Sequence, residues 1–256
     1  FLAAVEGIPE RPTAVAVRPF LDDKRGAVWV GTQDPGITYV FDFDPESRSF
    51  VRRERIRYAW GDIARLVPVD LDGQGGTDLA VVTAGRELVV FRATPSGYQR
   101  VDAVGAGRDV RFIEAADLDG DGREELVVGS GANHVAVLRW EATSAASETA
   151  GEATGEDTGS LAVTWENYVW GTHLGLAVGR FRGGAPEIVV ASSQRVAHHF
   201  AHGQDGIRAV RTPMDWPGMG GNLIGSGDID GDGRAEAIEA TPSGIVAWSI
   251  GSQVSA

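Results

Sequence analysis

The densest group of chemically active residues is the nine-residue run Asp117–Glu125, which is followed at once by an apolar run ending in Val128. Carboxylates at positions 1, 3, 5 and 9 of this run are expected to converge on one point. Glycines at positions 4 and 6 let the backbone turn without a Cβ clash. Hard oxygen ligands at this density suit Ca²⁺. An EF-hand would place a bidentate Glu at position 12, followed by a helix, whereas Val128 stands there in a β-branched run typical of a strand. The run predicts a calcium loop between two strands.

The run recurs along the chain. A near copy is Asp228–Glu236, and a third copy is Asp70–Asp78, with Gln at position 5. A fourth copy, Gly179–Glu187, keeps the frame but has lost the acids before position 9, and a fifth trace starts at Pro19. The starts at 19, 70, 117, 179 and 228 give spacings of 51, 47, 62 and 49 residues. A repeat of about 50 residues, built of strands and turns, predicts a β-propeller with one blade per repeat.

These loops, each followed by a strand, resemble the FG-GAP (VCBS-type) repeats of integrin α-chain propellers. Similar repeats occur in secreted bacterial proteins and some fungal lectins. The resemblance implies three calcium sites, in which side chains at positions 1, 3, 5 and 9 and the backbone carbonyl at position 7 are the ligands. The traces at 19 and 179 depart from this pattern and are assigned no metal. The implied ligands are Asp70, Asp72, Gln74, Gly76 and Asp78; Asp117, Asp119, Asp121, Arg123 and Glu125; and Asp228, Asp230, Asp232, Arg234 and Glu236.

The composition limits the alternatives. The chain has 256 residues, a net charge of −13 and no cysteine, which excludes disulfides, thiol catalysis and zinc–thiolate sites. Three Ca²⁺ ions would offset about six of the negative charges, and the remaining acidity makes nucleic acid an unexpected partner. No apolar run is long enough to cross a membrane, so no membrane-spanning segment is expected. No nucleophile elbow, phosphate loop or His-Glu-x-x-His motif is present.

We expect one all-β domain over residues 1–256, a propeller of four-stranded blades near 13–53, 62–103, 110–166, 172–211 and 222–250. The last blade lacks a convincing fourth strand. An N-terminal strand within 1–7, centred on Leu2–Val5, is expected to supply it and to close five blades. The alternative is part of a larger propeller. Residues 141–160, rich in small residues and Glu, predict a flexible insertion or, alternatively, a glycosylated or partner-binding loop.

The order of the strands in a meander places successive loops on opposite faces of the propeller. The calcium loops share one face, called here the lower face, and the loops between blades lie on the opposite, upper face. In integrin-like propellers the upper face binds ligand. Aromatic residues precede three of the blades in this upper position, where they either bind a protein or glycan or plug the gap between blades. His198 and His199 alternate to opposite faces, and no transition-metal site is expected there. The aromatic candidates are Tyr58, Trp60, Tyr168, Trp170 and Trp216.

The functional expectation is a non-catalytic, calcium-binding module for protein binding, adhesion or scaffolding. The chain starts without Met or a signal peptide, so a secreted or cell-surface location is inferred from the resemblance and from the fit of weak calcium sites to millimolar extracellular calcium. One alternative is a lectin-like carbohydrate-binding propeller. Another is the propeller part of a polysaccharide-acting enzyme. A cleft with an exposed Trp would favour the carbohydrate-binding alternative, and a flat upper face would favour a protein partner. Two carboxylates that face each other without a metal would favour the enzyme alternative.

Overall fold

The computed structural model describes residues 5–19, 26–33, 36–57, 61–101, 109–131, 133–142, 159–194, 196–210 and 222–250. Across these residues the regular secondary structure consists of strands, and no helix is present. A helix long and apolar enough to cross a membrane is accordingly not found in the described part of the chain.

The strands form five antiparallel sheets, and each sheet pairs its strands in chain order. Blade 1 contains β1 (Pro12–Pro19), β2 (Gly26–Thr32), β3 (Ile37–Asp44) and β4 (Ser49–Arg57). Blade 2 contains β5 (Ile63–Val69), β6 (Asp78–Thr83), β7 (Leu88–Thr94) and β8 (Gly97–Val101). Blade 3 contains β9 (Val110–Ala116), β10 (Glu125–Ser130), β11 (His134–Ala142) and β12 (Gly159–Tyr168). Blade 4 contains β13 (His173–Gly179), β14 (Glu187–Ser192), β15 (Ala197–Gly203) and β16 (Gly206–Ala209). Blade 5 contains β17 (Asn222–Gly227), β18 (Glu236–Thr241) and β19 (Gly244–Ser249).

The first strands of successive blades lie side by side, with β1 next to β5, β5 next to β9, β9 next to β13 and β13 next to β17. The predicted β-propeller of five blades is confirmed. Blade 5 has three strands in the described residues. The expected closing strand falls partly on residues 1–4, which lie outside the described residues, and residues 5–11 contain no strand. Residues 143–158 of the predicted insertion also lie outside them.

In blades 2 to 4 the second strand contains a central apolar run because it is covered on both faces. Every residue of β6, β10 and β14 is buried. Strands buried on both sides read as continuous rather than alternating apolar runs. Between blades 2 and 3, for example, Val90 packs in one cluster with Leu138 and Trp140. Position 2 of the blade-2 and blade-3 loops joins these cores, since Leu71 and Leu118 are buried in the clusters on either side of blade 3. Ile229, at position 2 of the blade-5 loop, is 59% exposed. Folding the blades therefore also fixes the loops of blades 2 and 3.

Candidate functional site

The three acidic loops share one backbone conformation. The glycines at positions 4 and 6 have positive φ in each, for example 81° at Gly120 and 87° at Gly122. This left-handed region is costly for residues with a Cβ. The position-1 carboxylate accepts hydrogen bonds from both glycine N–H groups, with Asp117 at 2.7 Å from Gly120 N and 3.0 Å from Gly122 N. Asp70 and Asp228 accept the same pair of bonds. The turn is thus held by hydrogen bonds within the loop itself.

The acid at position 9 begins the second strand and is buried in every acidic loop. Asp78, Glu125 and Glu236 are each at most 6% exposed. Each accepts a hydrogen bond from the backbone N–H at position 2, at 2.9 Å in the loops of blades 3 and 5. Burial raises the pKa of Glu125 to about 7, against the hydrogen bond from Leu118 that lowers it. A buried carboxylate of this kind is stabilised in its charged form by a nearby cation.

Carboxylates converge in two of the three loops. One oxygen from each of Asp117, Asp119 and Glu125 lies within 4.8 Å of the others, and Asp228, Asp230 and Glu236 form the same arrangement. The Oε1 atom of Glu125 is buried and has no hydrogen-bond donor. An all-oxygen donor set with one buried oxygen that accepts no hydrogen bond fits a hard divalent cation. These two clusters can hold a metal ion.

The other predicted ligands lie in the same loops. Asp121 and Asp232 at position 5 accept hydrogen bonds from the backbone N–H groups of Arg123 and Arg234, at 2.9 and 2.8 Å. In the blade-2 loop, Gln74 and Gly76 are exposed. The acids of that loop form no such cluster within the described residues, and the Asp72 carboxylate is paired with the Arg92 guanidinium instead.

Two arginines that the sequence reasoning missed reach the acidic loops from the third strand. Arg92 on β7 pairs with Asp72, and its Nε lies 3.6 Å from Oδ2 of Asp78. Arg139 on β11 contacts three acids of the blade-3 loop, including Asp119 Oδ2 at 3.0 Å from its Nη1. Both arginines follow a large apolar residue at the same point of the third strand, and this shared position was a usable sequence signal.

Blade 4 keeps the position-9 acid although its loop has lost the other acids. Glu187 is 5% exposed and accepts a hydrogen bond of 2.7 Å from Nε of Arg182. Its second oxygen lies 3.2 Å from Nε2 of His199, so one of the two histidines is accompanied by a carboxylate. Burial alone would raise the pKa of Glu187, but hydrogen bonds from His199 and Arg182 outweigh burial and lower it. The alternation of His198 and His199 explains why only the second reaches Glu187.

Two cavities adjoin these elements. The larger, about 600 Å³, is lined by the first strands of blades 1 to 3. It contains Glu114, whose pKa is raised by burial to about 7, and Glu124. Glu124 is paired with Arg18 at 2.6 Å and accepts the N–H of Asp70, so it is already engaged between blades. The second cavity, about 230 Å³, lies beside the blade-3 loop.

The aromatic residues before blade 4 are exposed on a tightly held loop. Tyr168 is 74% and Trp170 82% exposed, so Trp170 is not a plug between blades. Val169 between them is buried, and its N–H bonds to the Asn133 carbonyl at 2.8 Å. The loop then closes through Thr172, whose N–H bonds to Oγ of Ser193 at 3.0 Å. The other predicted aromatics, Tyr58, Trp60 and Trp216, lie outside the described residues.

Comparison with known proteins agrees with this architecture. Residues 70–128 match the FG-GAP-like repeat family. No curated protein matches the chain significantly in sequence. Among solved structures, the chain is similar to BBS1N in a crystal of its complex with ARL6DN soaked with lead, with a TM-score of 0.58 at 13% identity over 95% of this chain and 67% of that chain. The mercury-soaked crystal gives 0.55 at 13% identity, over 94% and 65%. The chain thus spans about two thirds of those chains, and at this identity the likeness concerns the fold alone.

The repeat match and the bladed architecture together fit an FG-GAP β-propeller, as the resemblance of the loops predicted.

Proposed function

We propose that the chain is a non-catalytic propeller module of a secreted or cell-surface protein, stabilised by calcium on its lower face and docking a protein partner on its upper face. The observation that carries the partner site is the exposure of Tyr168 and Trp170. Large aromatic side chains offer contact area at low entropic cost and are enriched among interface hot spots.

The support of the loop suits a binding role. Val169 anchors its centre in the core between blades 3 and 4, and the His198 ring hydrogen-bonds the backbone of Trp170. Gly171 has a positive φ of 87° and packs against the turn that contains Gln194. A loop held in this way loses little conformational freedom when it binds, which preserves affinity. BBS1N, a propeller of similar fold, was crystallised in complex with the protein ARL6DN, which supports a protein as the class of partner.

A protein is favoured over a sugar by the shape around the aromatics. Tyr168 and Trp170 line neither of the two cavities described above. Sugar sites are usually concave, with polar groups converging beside the aromatic ring. Calcium is proposed for the two clustered loops because their donors are all oxygen, and calorimetry with Ca²⁺ on the full chain tests it.

Comparative capture tests the partner site. The wild-type chain, a Trp170→Ala variant and a Val51→Ala control are immobilised and exposed to proteins extracted from the surface and medium of the source cells. Val51 is 53% exposed on β4, away from the upper-face loop. A protein retained by wild type and control but lost by Trp170→Ala is purified, and its Kd is measured. We expect weakening of more than about 1 kcal/mol.

A partner that binds wild type and Trp170→Ala equally would refute this use of the upper face. Melting curves separate binding from folding. Because Trp170 is mostly exposed, its truncation should leave the melting temperature nearly unchanged. A glycan array with the same variants distinguishes the sugar alternative, since a lectin would show glycan signals that disappear with Trp170→Ala.

A further inference from the structure

The position-9 acid has a different electrostatic environment in each of four blades, and register makes the blades comparable. Asp78 begins β6, Glu125 begins β10, Glu187 begins β14 and Glu236 begins β18. Glu187 lies opposite Ala201 on the third strand, and Glu236 lies opposite Ser249. In blade 2 the register Leu79↔Phe91, continued by one residue, places Arg92 opposite Asp78. In blade 3 the register Leu126↔Leu138, continued in the same way, places Arg139 opposite Glu125.

In blades 2 and 3 the arginine at this point lies among the loop acids. Arg92 is 8% exposed, pairs with Asp72, and stacks over the Trp140 ring of the next blade with its Cζ 4.7 Å from the ring centroid. Arg139 pairs with Asp119 and Asp121 of the blade-3 loop. A guanidinium cannot be deprotonated at ordinary pH, so it brings a permanent positive charge to each loop.

In blade 4 an arginine balances the position-9 acid although the other loop acids are missing. Its loop has no acid at positions 1, 3 or 5, yet Glu187 remains and is neutralised by Arg182 from within the loop. Blade 5 is the opposite case. Its loop has carboxylates at all four ligand positions, and within the described residues none of them forms an ion pair. Ser249, where blades 2 and 3 have arginine, is small, neutral and exposed.

We infer that the residue opposite the position-9 acid sets how strongly each loop depends on calcium. Arg92 and Arg139 supply part of the charge that a cation would supply, whereas the blade-5 loop with Ser249 depends on the cation alone. Of the two clustered loops, blade 5 should have the higher calcium affinity and blade 3 the lower. The blade-2 loop, which has no such cluster and has the uncharged Gln74 at position 5, should bind more weakly than both. This inference rests on the calcium binding proposed above.

Reciprocal substitutions on the full chain test it, with calcium affinity measured by calorimetry and melting temperature measured with and without chelator. Asp230→Asn should abolish the tightest site, which assigns that site to blade 5. Ser249→Arg should weaken the tightest site by about tenfold or more and reduce the fall in melting temperature on adding chelator. Arg139→Gln should tighten the blade-3 site by a similar factor, and Arg139→Lys should remain close to wild type.

Ser249→Gln is the matched control, because it adds a long side chain without charge and should leave the affinity nearly unchanged. Ser249 is exposed, so the larger side chains fit without disturbing the core. If Ser249→Arg weakens binding no more than Ser249→Gln, or if Asp230→Asn leaves the tightest site intact, the inference is overturned. If the wild-type chain binds no Ca²⁺, the proposed calcium function fails instead, and the two failures are thereby distinguished.

Discussion

Blade spacing depends on Gly175, and replacing it with alanine should destabilise the propeller. Gly175 lies on β13 where blade 4 meets blade 5. A Cβ built there would lie 2.2 Å from the carbonyl oxygen of Leu223 and 2.5 Å from its Cβ. Ordinary van der Waals contact begins near 3.4 Å, and the nearest atom belongs to the backbone of the neighbouring blade. The two first strands must therefore move apart by about an ångström.

The loss of stability follows from the packing contacts that this shift would open between blades 4 and 5. Leu223, Ala177 and Ala237 belong to the cluster that joins blades 4 and 5. A gap of 0.5–1 Å forfeits about a quarter to a half of each dispersion contact across it. Overpacked cores typically lose about 1–3 kcal/mol, so we expect Gly175→Ala to lower the free energy of unfolding by that amount.

Urea unfolding of the full chain is the assay, and Gly225→Ala is the matched control. Gly225 lies on β17, in the facing strand, and a Cβ added there meets nothing within 4 Å. Because alanine restricts the unfolded chain, this control should be neutral or stabilising by about 0.4–1 kcal/mol. Equal unfolding midpoints for Gly175→Ala and Gly225→Ala would refute the spacing argument.

Two further predictions concern pH. Burial raises the pKa of Glu114 to about 7, so its contribution favours folding at low pH and is lost as pH rises from about 4.5 to 7. Glu114→Gln should flatten that part of the stability profile, and a profile unchanged from wild type would contradict it. Burial, with smaller contributions from the neighbouring His198, His134 and Arg111, lowers the pKa of His173 to about 4. Its contribution is therefore present above about pH 6.5 and is lost as pH falls towards 4, so His173→Gln should reduce acid sensitivity in the same urea measurements. Acid sensitivity equal to wild type would count against this burial effect.

The repeats were readable from sequence because loop and strand depend on local residues. Glycines at two fixed positions specify the left-handed turns, and an apolar run such as Leu126–Gly129 specifies a strand buried on both faces. These requirements recur unchanged wherever the loop is needed, so a spacing of about 50 residues was enough to predict the blades.

The ion pairs and the exposure of aromatics could not be read in the same way. Arg139 is 14 residues beyond Glu125, and only the β10–β11 register brings it among the loop acids. Trp170 and Val169 are adjacent apolar residues, yet one is exposed and the other buried. That outcome depends on which neighbour faces the core between blades, which is a tertiary property.

The retained acid in blade 4 gives a physical reason for the exchange of roles that we propose between arginine and calcium. A buried carboxylate has several lone pairs, and leaving it charged without a positive partner costs more than removing it. Once a position-9 acid is present, a blade can supply the partner from its loop, as with Arg182, or from its third strand, as with Arg139, and the proposed calcium would be a partner from solution. The first two partners are covalently fixed and act at any calcium concentration, whereas the third acts only where the ion is plentiful. A propeller whose blades use different partners would therefore lose order first at the ion-dependent blade when calcium falls. Hydrogen exchange measured with chelator should accordingly rise in β18 before it rises in β14, and simultaneous exchange in both strands would contradict this order.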